Sequence, residues 1–294
     1  MILVTGASGH LGHRVLHHLT ETLAIPAGRI VAASRTPAKL GQWSARGIAT
    51  RRLDFENTAT LVAAFTGVER ALLISTDALD RPGRRLEQHR NAVRAMEEAG
   101  VQHGLYTSMP QPVDSPLLIA PDHEGTERAF ADSHLPGWTM LRNHWYLENL
   151  FLFLQPALTS GKWYAADRGL GSADIARDDL ALAAATVLAG DETGKQVYTL
   201  SGSRALTKVE VAAAVSATIG RSIEVVQVPL EDLMQGMVSA GLPEPVARVY
   251  ASFDTNTAAG RVAEISDDFN QITGRSPATF EQWLQANQAA LAAL

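Results

Sequence analysis

The segment TGASGHLG, directly behind the apolar run that opens the chain, constrains the fold more than any other feature. Gly6, Gly9 and Gly12 lie three residues apart, between a strand-like run from Ile2 to Val4 and a stretch in which Leu11, Val15, Leu19 and Leu23 recur every fourth position. In a strand–turn–helix unit the first glycine permits the tight turn, the second lets backbone approach a pyrophosphate, and the third lets helix pack on strand. The helix start behind them offers unpaired N–H groups and partial positive charge to the same phosphates. Glycines alone suit any turn, but here their place between strand and helix points to dinucleotide binding.

Further short apolar runs at Ile30–Ala33, Ile48–Leu53, Ala71–Ile74, Gly104–Tyr106 and Thr139–Leu141 alternate with longer helical segments. This alternation predicts successive βαβ units and an α/β fold, a Rossmann-type doubly wound parallel sheet. Between Leu86 and Ala99, residues Ala92, Val93, Met96 and Ala99 keep helical spacing and Gly100 supplies the stop. After about residue 143 the pattern changes to the aromatic stretch HWYLENLFLF, a Gly-rich segment from Gly161 to Ser172 and an Ala-rich helix from Asp178 to Ala189. A strand at Val197–Leu200, helices at Thr207–Ile219 and Leu230–Ala240, and a short strand at Glu224–Val228 complete the reading. The expected division is a dinucleotide domain of residues 1–143, to which 174–203 return, and a smaller, mostly helical substrate region of 144–173 and 204–294. The cleft between them is the natural place for a small molecule.

The dinucleotide is read from the end of the second strand, where an acidic residue would accept ribose hydroxyls and an arginine would accept the extra phosphate of NADP. That place is Ser34-Arg35, and no Asp or Glu occurs between Thr22 and Leu53. NADPH is therefore the expected cofactor, with NADH the alternative. The other arginines of the stretch are read as a solvated basic face.

Charge and composition remove other classes. With 25 Lys and Arg against 31 Asp and Glu, the net charge of −6 gives no basic field for nucleic acid or an anionic membrane, and neither is an expected partner. The absence of cysteine rules out disulfides, thiolate metal sites and cysteine nucleophiles. The longest apolar stretch, Leu180 to Ala189, is ten residues, against about 20 for a bilayer span. Without a charged leader before MILVTG, a cytoplasmic location is expected. His13 and His17 stand four apart, but no HExxH pattern accompanies them and no metal is expected. The absence of a GxSxG elbow argues against hydrolase chemistry.

With the glycine turn, the ASR ending strand two, LDF after strand three, LYTS in strand five and LRNHWYLEN after strand six, the sequence resembles the NmrA-like atypical short-chain dehydrogenases, and within them the type 2 NAD(P)H:quinone oxidoreductases and the triphenylmethane reductases. The similarity extends through the Asp178–Ala189 helix and AGLPEP at Ala240–Pro245. It implies that Gly6, Ala7, Ser8, Gly9, His10 and Leu11 wrap the pyrophosphate ahead of Gly12, and that Arg35 meets the adenosine phosphate. It further implies that Asp54, Phe55, Ser75, Thr76, Thr107 and Ser108 line the strand ends beside the cofactor. Asn143 to Glu148, Tyr146 among them, would form a loop against the nicotinamide, with Arg177 reaching the same region. His144 stands where relatives have a small residue, and Ser8 and His10 where they commonly have Thr and Gln.

The Tyr-x-x-x-Lys pair of ordinary short-chain dehydrogenases, which protonates a nascent alkoxide, is absent. The matching stretch DHEGTER puts His123 and Glu127 in the two places. Hydride addition to a quinone needs less, because the product is a phenolate that water can protonate, so ring positioning suffices. Asn143, His144 and Tyr146 are the catalytic candidates, as positioning groups. His144 is read either as pocket wall or as a hydrogen-bond partner for a substrate oxygen. His123, with Asp122 and Glu124, is read as a helix start rather than an acid–base cluster. Leu230, Leu233, Met234, Met237 and Val238 form a stripe that is either core or a lid on a flat ligand, with Trp145, Tyr146, Phe151 and Phe153 opposite. Met109, His144, Trp145, Met234 and Met237 are the expected pocket residues. These readings favour an NADPH-dependent reductase of a small aromatic or quinone acceptor, acting as a homodimer. Its rivals are a tailoring oxidoreductase of polycyclic quinones and a non-catalytic dinucleotide sensor that regulates a protein partner.

Overall fold

The computed structural model describes all residues, Met1–Leu294. Its first half alternates as the apolar runs predict: β1 (Ile2–Val4), α1 (His10–His17), β2 (Ile30–Ser34), α2 (Gly41–Ser44), β3 (Ala49–Arg52) and α3 (Thr58–Phe65). The order continues with β4 (Arg70–Leu73), α4 (Arg84–Glu98), β5 (His103–Ser108), α5 (Ala120–Ala131) and β6 (Gly137–Asn143). Then follow α6 (Leu150–Ser160), β7 (Lys162–Ala165), α7 (Arg177–Ala189) and β8 (Lys195–Leu200). The remainder is α8 (Lys208–Ile219), β9 (Glu224–Gln227), α9 (Leu230–Ser239), α10 (Glu244–Ala258), α11 (Asp268–Thr273) and α12 (Phe280–Ala292).

Seven strands form one sheet in the order β3-β2-β1-β4-β5-β6-β8, and every pairing is parallel. A parallel sheet is covered on both faces, so its strands must be apolar throughout. Accordingly β1, β2, β4 and β5 are buried at every position. Ile2 and Val4 pack with α1 and α7 on one face, while Leu3 packs with α3, α4 and Phe130 of α5 on the other. β1 is flanked by β2 and β4, so chain order reverses there. At such a switch point the crevice beyond the carboxyl ends of the strands is where ligands bind.

Arg70, at the start of β4, ties sheet to helix. Its buried guanidinium donates to the carbonyls of Val187, Leu188 and Glu192 at 3.0, 3.1 and 2.8 Å, satisfying the end of α7. A third core joins α6, α8 and α12 through Leu154, Val215, Trp283 and Leu291. The two-stranded sheet β7-β9 lies beside it.

Two segments differ from the sequence reading. The aromatic stretch after β6 is not a loop throughout: from Leu150 it is helix α6, whose continuous apolar run and internal Pro156 hide the helical period. β7 falls inside the segment read only as Gly-rich, because four residues alternating exposed and buried are too short a signal.

Candidate active site

The turn after β1 carries Gly6 at φ +57°, a left-handed conformation that favours glycine. A Cβ at Gly12 would meet the Gly6 carbonyl oxygen at 2.4 Å, and one at Gly9 would lie 3.3 Å from the same atom. Only glycine lets turn and helix approach so closely. The first turn of α1 has no acidic residue, and its opening N–H groups have no intrahelical acceptor.

In front of this turn lies a cleft of about 550 Å³. Gly6, Ser8 and Gly9 form one side, Ser34 and Arg35 the end of β2, and Leu53, Asp54 and Phe55 the far wall. Ile74, Ser75 and Thr76 form the floor beyond β4. Ser8 and Ser34 join their hydroxyls at 2.8 Å across the first two strands. Arg35 is exposed and makes no ion pair, so its guanidinium is available at the rim. A dinucleotide fits these residues: a cradle that any Cβ would fill, free helix N–H groups, an unpaired arginine, and the buried Thr76 Oγ1 with no hydrogen-bond partner.

Thr76 also borders a second cavity, of about 280 Å³, that opens beside the first. Ile119, Trp145, Leu152, Val246, Val249, Tyr250 and Phe253 make it mainly apolar, and Arg85 is its one charged wall residue. Trp145 and Phe253 meet with ring centroids 3.9 Å apart. Past them a space of about 110 Å³ is lined by Phe153, Trp163, Leu233 and Met237. Its polar wall holds Lys208, whose ammonium lies 2.5 Å from Asp254 and 3.4 Å from Asp167.

The other singled-out residues are placed as follows. His10 is exposed at the helix start, while Ala7 and Leu11 are buried beneath the turn. Thr107 and Ser108 are buried at the end of β5, where Thr107 Oγ1 accepts from the Ser75 N–H at 2.8 Å and Ser108 donates to Glu127 at 2.6 Å. Met109 packs with Leu117, Ala120 and Phe253. Tyr146 lies under the Arg177 guanidinium, 5.4 Å from its ring centre. Burial pushes its phenol above the ordinary range, against the pull of Asn143 and Arg177. Glu148 uses one carboxylate oxygen on the Arg177 N–H and the other on Trp283 Nε1, at 2.9 and 3.2 Å. Met234 is half-buried on α9 and does not line these cavities. Phe151 packs on Trp283 instead of facing the space that holds Phe153.

His144 is 1% exposed, and neither ring nitrogen has a hydrogen-bond partner. Burial pushes its pKa down to about 4, which the nearby Val262 backbone only partly offsets. The Asn143 Oδ1 is likewise unpartnered.

Sequence reasoning missed a buried polar network behind the second cavity. The His123 Nδ1 lies 2.9 Å from the Tyr106 hydroxyl, and its Nε2 lies 3.0 Å from an Arg85 nitrogen. Glu127 accepts two bonds from Arg142 at 2.9 and 2.7 Å. The two places a Tyr and Lys would occupy are thus locked into internal contacts. A signal existed: Ala92 and Met96 mark the core face of α4, and the same spacing continued backward reaches His89 and Arg85.

The NmrA-like family profile matches residues 1–284. Quinone oxidoreductase 2 of Escherichia coli (strain K12) is 36% identical over 282 residues, covering 96% of both chains. The crystal structure of the NADPH-dependent quinone oxidoreductase of Escherichia coli complexed with NADPH superposes with a TM-score of 0.91 over 97% of this chain and 99% of that one, at 36% identity. The Citrobacter sp. triphenylmethane reductase complexed with NADP(H) gives a TM-score of 0.89 at 31% identity, over the same shares of the two chains. No helix is long and apolar enough to cross a membrane.

Proposed function

The chain belongs to the NmrA-like family, and from that premise we propose that it is an NADPH-dependent oxidoreductase that delivers hydride to a quinone or similarly flat conjugated acceptor. The observation that carries this reading is that Thr76 lines both cavities, one polar and glycine-walled, the other aromatic-walled. When bound, NADPH supplies hydride from its nicotinamide ring. The backbone of Gly6–Gly12 and the start of α1 hold the pyrophosphate, and Arg35 holds the 2′-phosphate as a two-pronged donor. Thr76 lies at the boundary of the two cavities, where the two rings would meet. Trp145, Tyr250 and Phe253 confine a flat acceptor by stacking and exclude water from its faces.

No side chain needs to protonate the product. A hydroquinone anion is a weak enough base for water to do so, and the Tyr146 phenol is held above its ordinary range, unsuited to giving up a proton. His144, enclosed and neutral, borders none of these cavities and acts neither as acid nor as pocket wall in this reading. Residues 1–143 with 174–203 hold the dinucleotide, and 144–173 with 204–294 shape the acceptor pocket. Asn143, Tyr146, Glu148 and Arg177 brace the joint between them. The cytoplasmic location and homodimer expected from the sequence belong to the same proposal; a single species of monomer mass in sedimentation would remove the dimer.

Anaerobic NADPH oxidation with benzo-, naphtho- and anthraquinones tests the reading. Turnover that requires both NADPH and quinone is expected. Tight NADPH binding without turnover on any acceptor would replace the reductase with a sensor.

A further inference from the structure

Arg85 is 5% exposed, faces the second cavity, and has no carboxylate within ion-pairing distance. Its Nε is buried without any partner, and its one side-chain hydrogen bond is to the His123 Nε2 at 3.0 Å. A guanidinium can only donate, so His123 Nε2 must accept and its proton sits on Nδ1, which donates to the Tyr106 hydroxyl. The same logic holds nearby: the Thr76 N–H donates to His89 Nε2 at 3.0 Å, which leaves His89 Nδ1 to donate to Thr126 at 2.9 Å. Both imidazoles are therefore neutral, in agreement with pKa values pushed well down by burial and by the Arg85 charge. Asp122 is the carboxylate that feels the Arg85 charge, but it makes no ion pair with the guanidinium, so no contact in the network neutralises it directly.

A buried cation without a counter-charge is costly unless an anion completes it. The cavity wall offers none, so the anion has to come from what enters. We propose that Arg85 is the anion-holding group of the acceptor pocket and binds a negatively charged oxygen on a flat aromatic acceptor, either an ionised ring hydroxyl or the phenolate left by reduction. The inference rests on the acceptor-pocket reading above. On reduction a hydride adds to the acceptor, the carbonyl π bond breaks, and its electron pair comes to rest on oxygen beside the guanidinium. The acceptor gains two electrons, the nicotinamide loses them, and the proton that completes the hydroquinone comes from water. Arg85 gives up no proton. His123, itself held by the Tyr106 hydroxyl, positions the guanidinium through one N–H.

Equilibrium binding to the NADP⁺-loaded protein tests this without turnover. Lawsone, a hydroxynaphthoquinone that is an anion at neutral pH, is compared with menadione, its neutral methyl analogue. The wild type is expected to prefer lawsone by about tenfold or more, the scale of one charge-assisted hydrogen bond. Arg85→Gln removes the charge yet keeps a donor for His123, and should abolish the preference while NADPH affinity and Tm stay near wild type. Arg85→Lys keeps a charge and should retain most of it, which a purely structural role would not reproduce. A wild type without preference, a Gln variant that keeps it, or equal loss in the Gln and Lys variants overturns the assignment. A protein that shows the preference but reduces no quinone would sink the reductase reading alone.

Discussion

Arg35 and Arg85 show how much the partner of a charge decides. Both guanidiniums lack a carboxylate, but Arg35 stands in water at the cleft rim, whereas Arg85 is enclosed. Its place in the chain, at the end of the second strand after a stretch free of acid, is what assigns Arg35 to the 2′-phosphate in the proposed reading. Replacing it by Ala removes a charge-assisted contact to the 2′-phosphate, worth about 1.5–3 kcal/mol. NADPH affinity is then expected to fall roughly 10- to 100-fold, with NADH affinity almost unchanged, and fluorescence titration of both cofactors checks it. Equal affinities of mutant and wild type for NADPH would remove Arg35 from the phosphate site. His144 was legible as unusual but not as enclosed, since burial depends on Leu200 and Val262, remote in sequence, whose backbone lies against it.

At the scale of elements, the glycine turn, α1 and the first strands were readable because their interactions are local. Residues Gly6 to Gly12 and the four-residue apolar spacing of α1 lie within one βα unit. Gly12→Ala brings a methyl group to 2.4 Å from the Gly6 carbonyl oxygen, so turn and helix must move apart. Rigid backbone lies on both sides, and a loss of about 1–3 kcal/mol is expected from the overpacking. NADPH affinity should fall with stability, whereas the exposed Gly28→Ala, whose Cβ meets nothing within 4 Å, should change neither. Thermal unfolding with and without NADPH separates the two. α6 and β7 escaped the sequence reading because one has no polar face to set a period and the other is four residues long.

For the molecule as a whole, the unsatisfied or neutral imidazoles set a pH limit. His89, His103, His123 and His144 are all pushed below the ordinary value by burial, His103 and His144 to about 4. In the unfolded chain these groups take up protons below about pH 6.5, which the native state resists. Their contribution is thus complete above pH 6.5 and is lost as pH falls toward 4. Asp174 and Asp179, raised to about 6 by burial, and Asp122, also raised by burial, oppose this by binding protons in the native state first, but they are three against four. Tm is expected to decline from pH 7 to pH 4.5. His144→Asn should flatten that decline, removing up to about 3 kcal/mol of pH-dependent stability, and a profile identical to wild type would show that the ring is not held neutral. The sequence by itself determined the doubly wound sheet and the glycine turn, because strand burial, helical period and turn geometry are local consequences of residue order. Only the tertiary structure decided that Glu127 serves Arg142, that His123 serves Arg85, and that Arg85 faces the aromatic pocket without an ion pair. Those relations join residues on α4, β5, α5 and β6, and whether a polar group is satisfied depends on partners that only folding brings within hydrogen-bond reach.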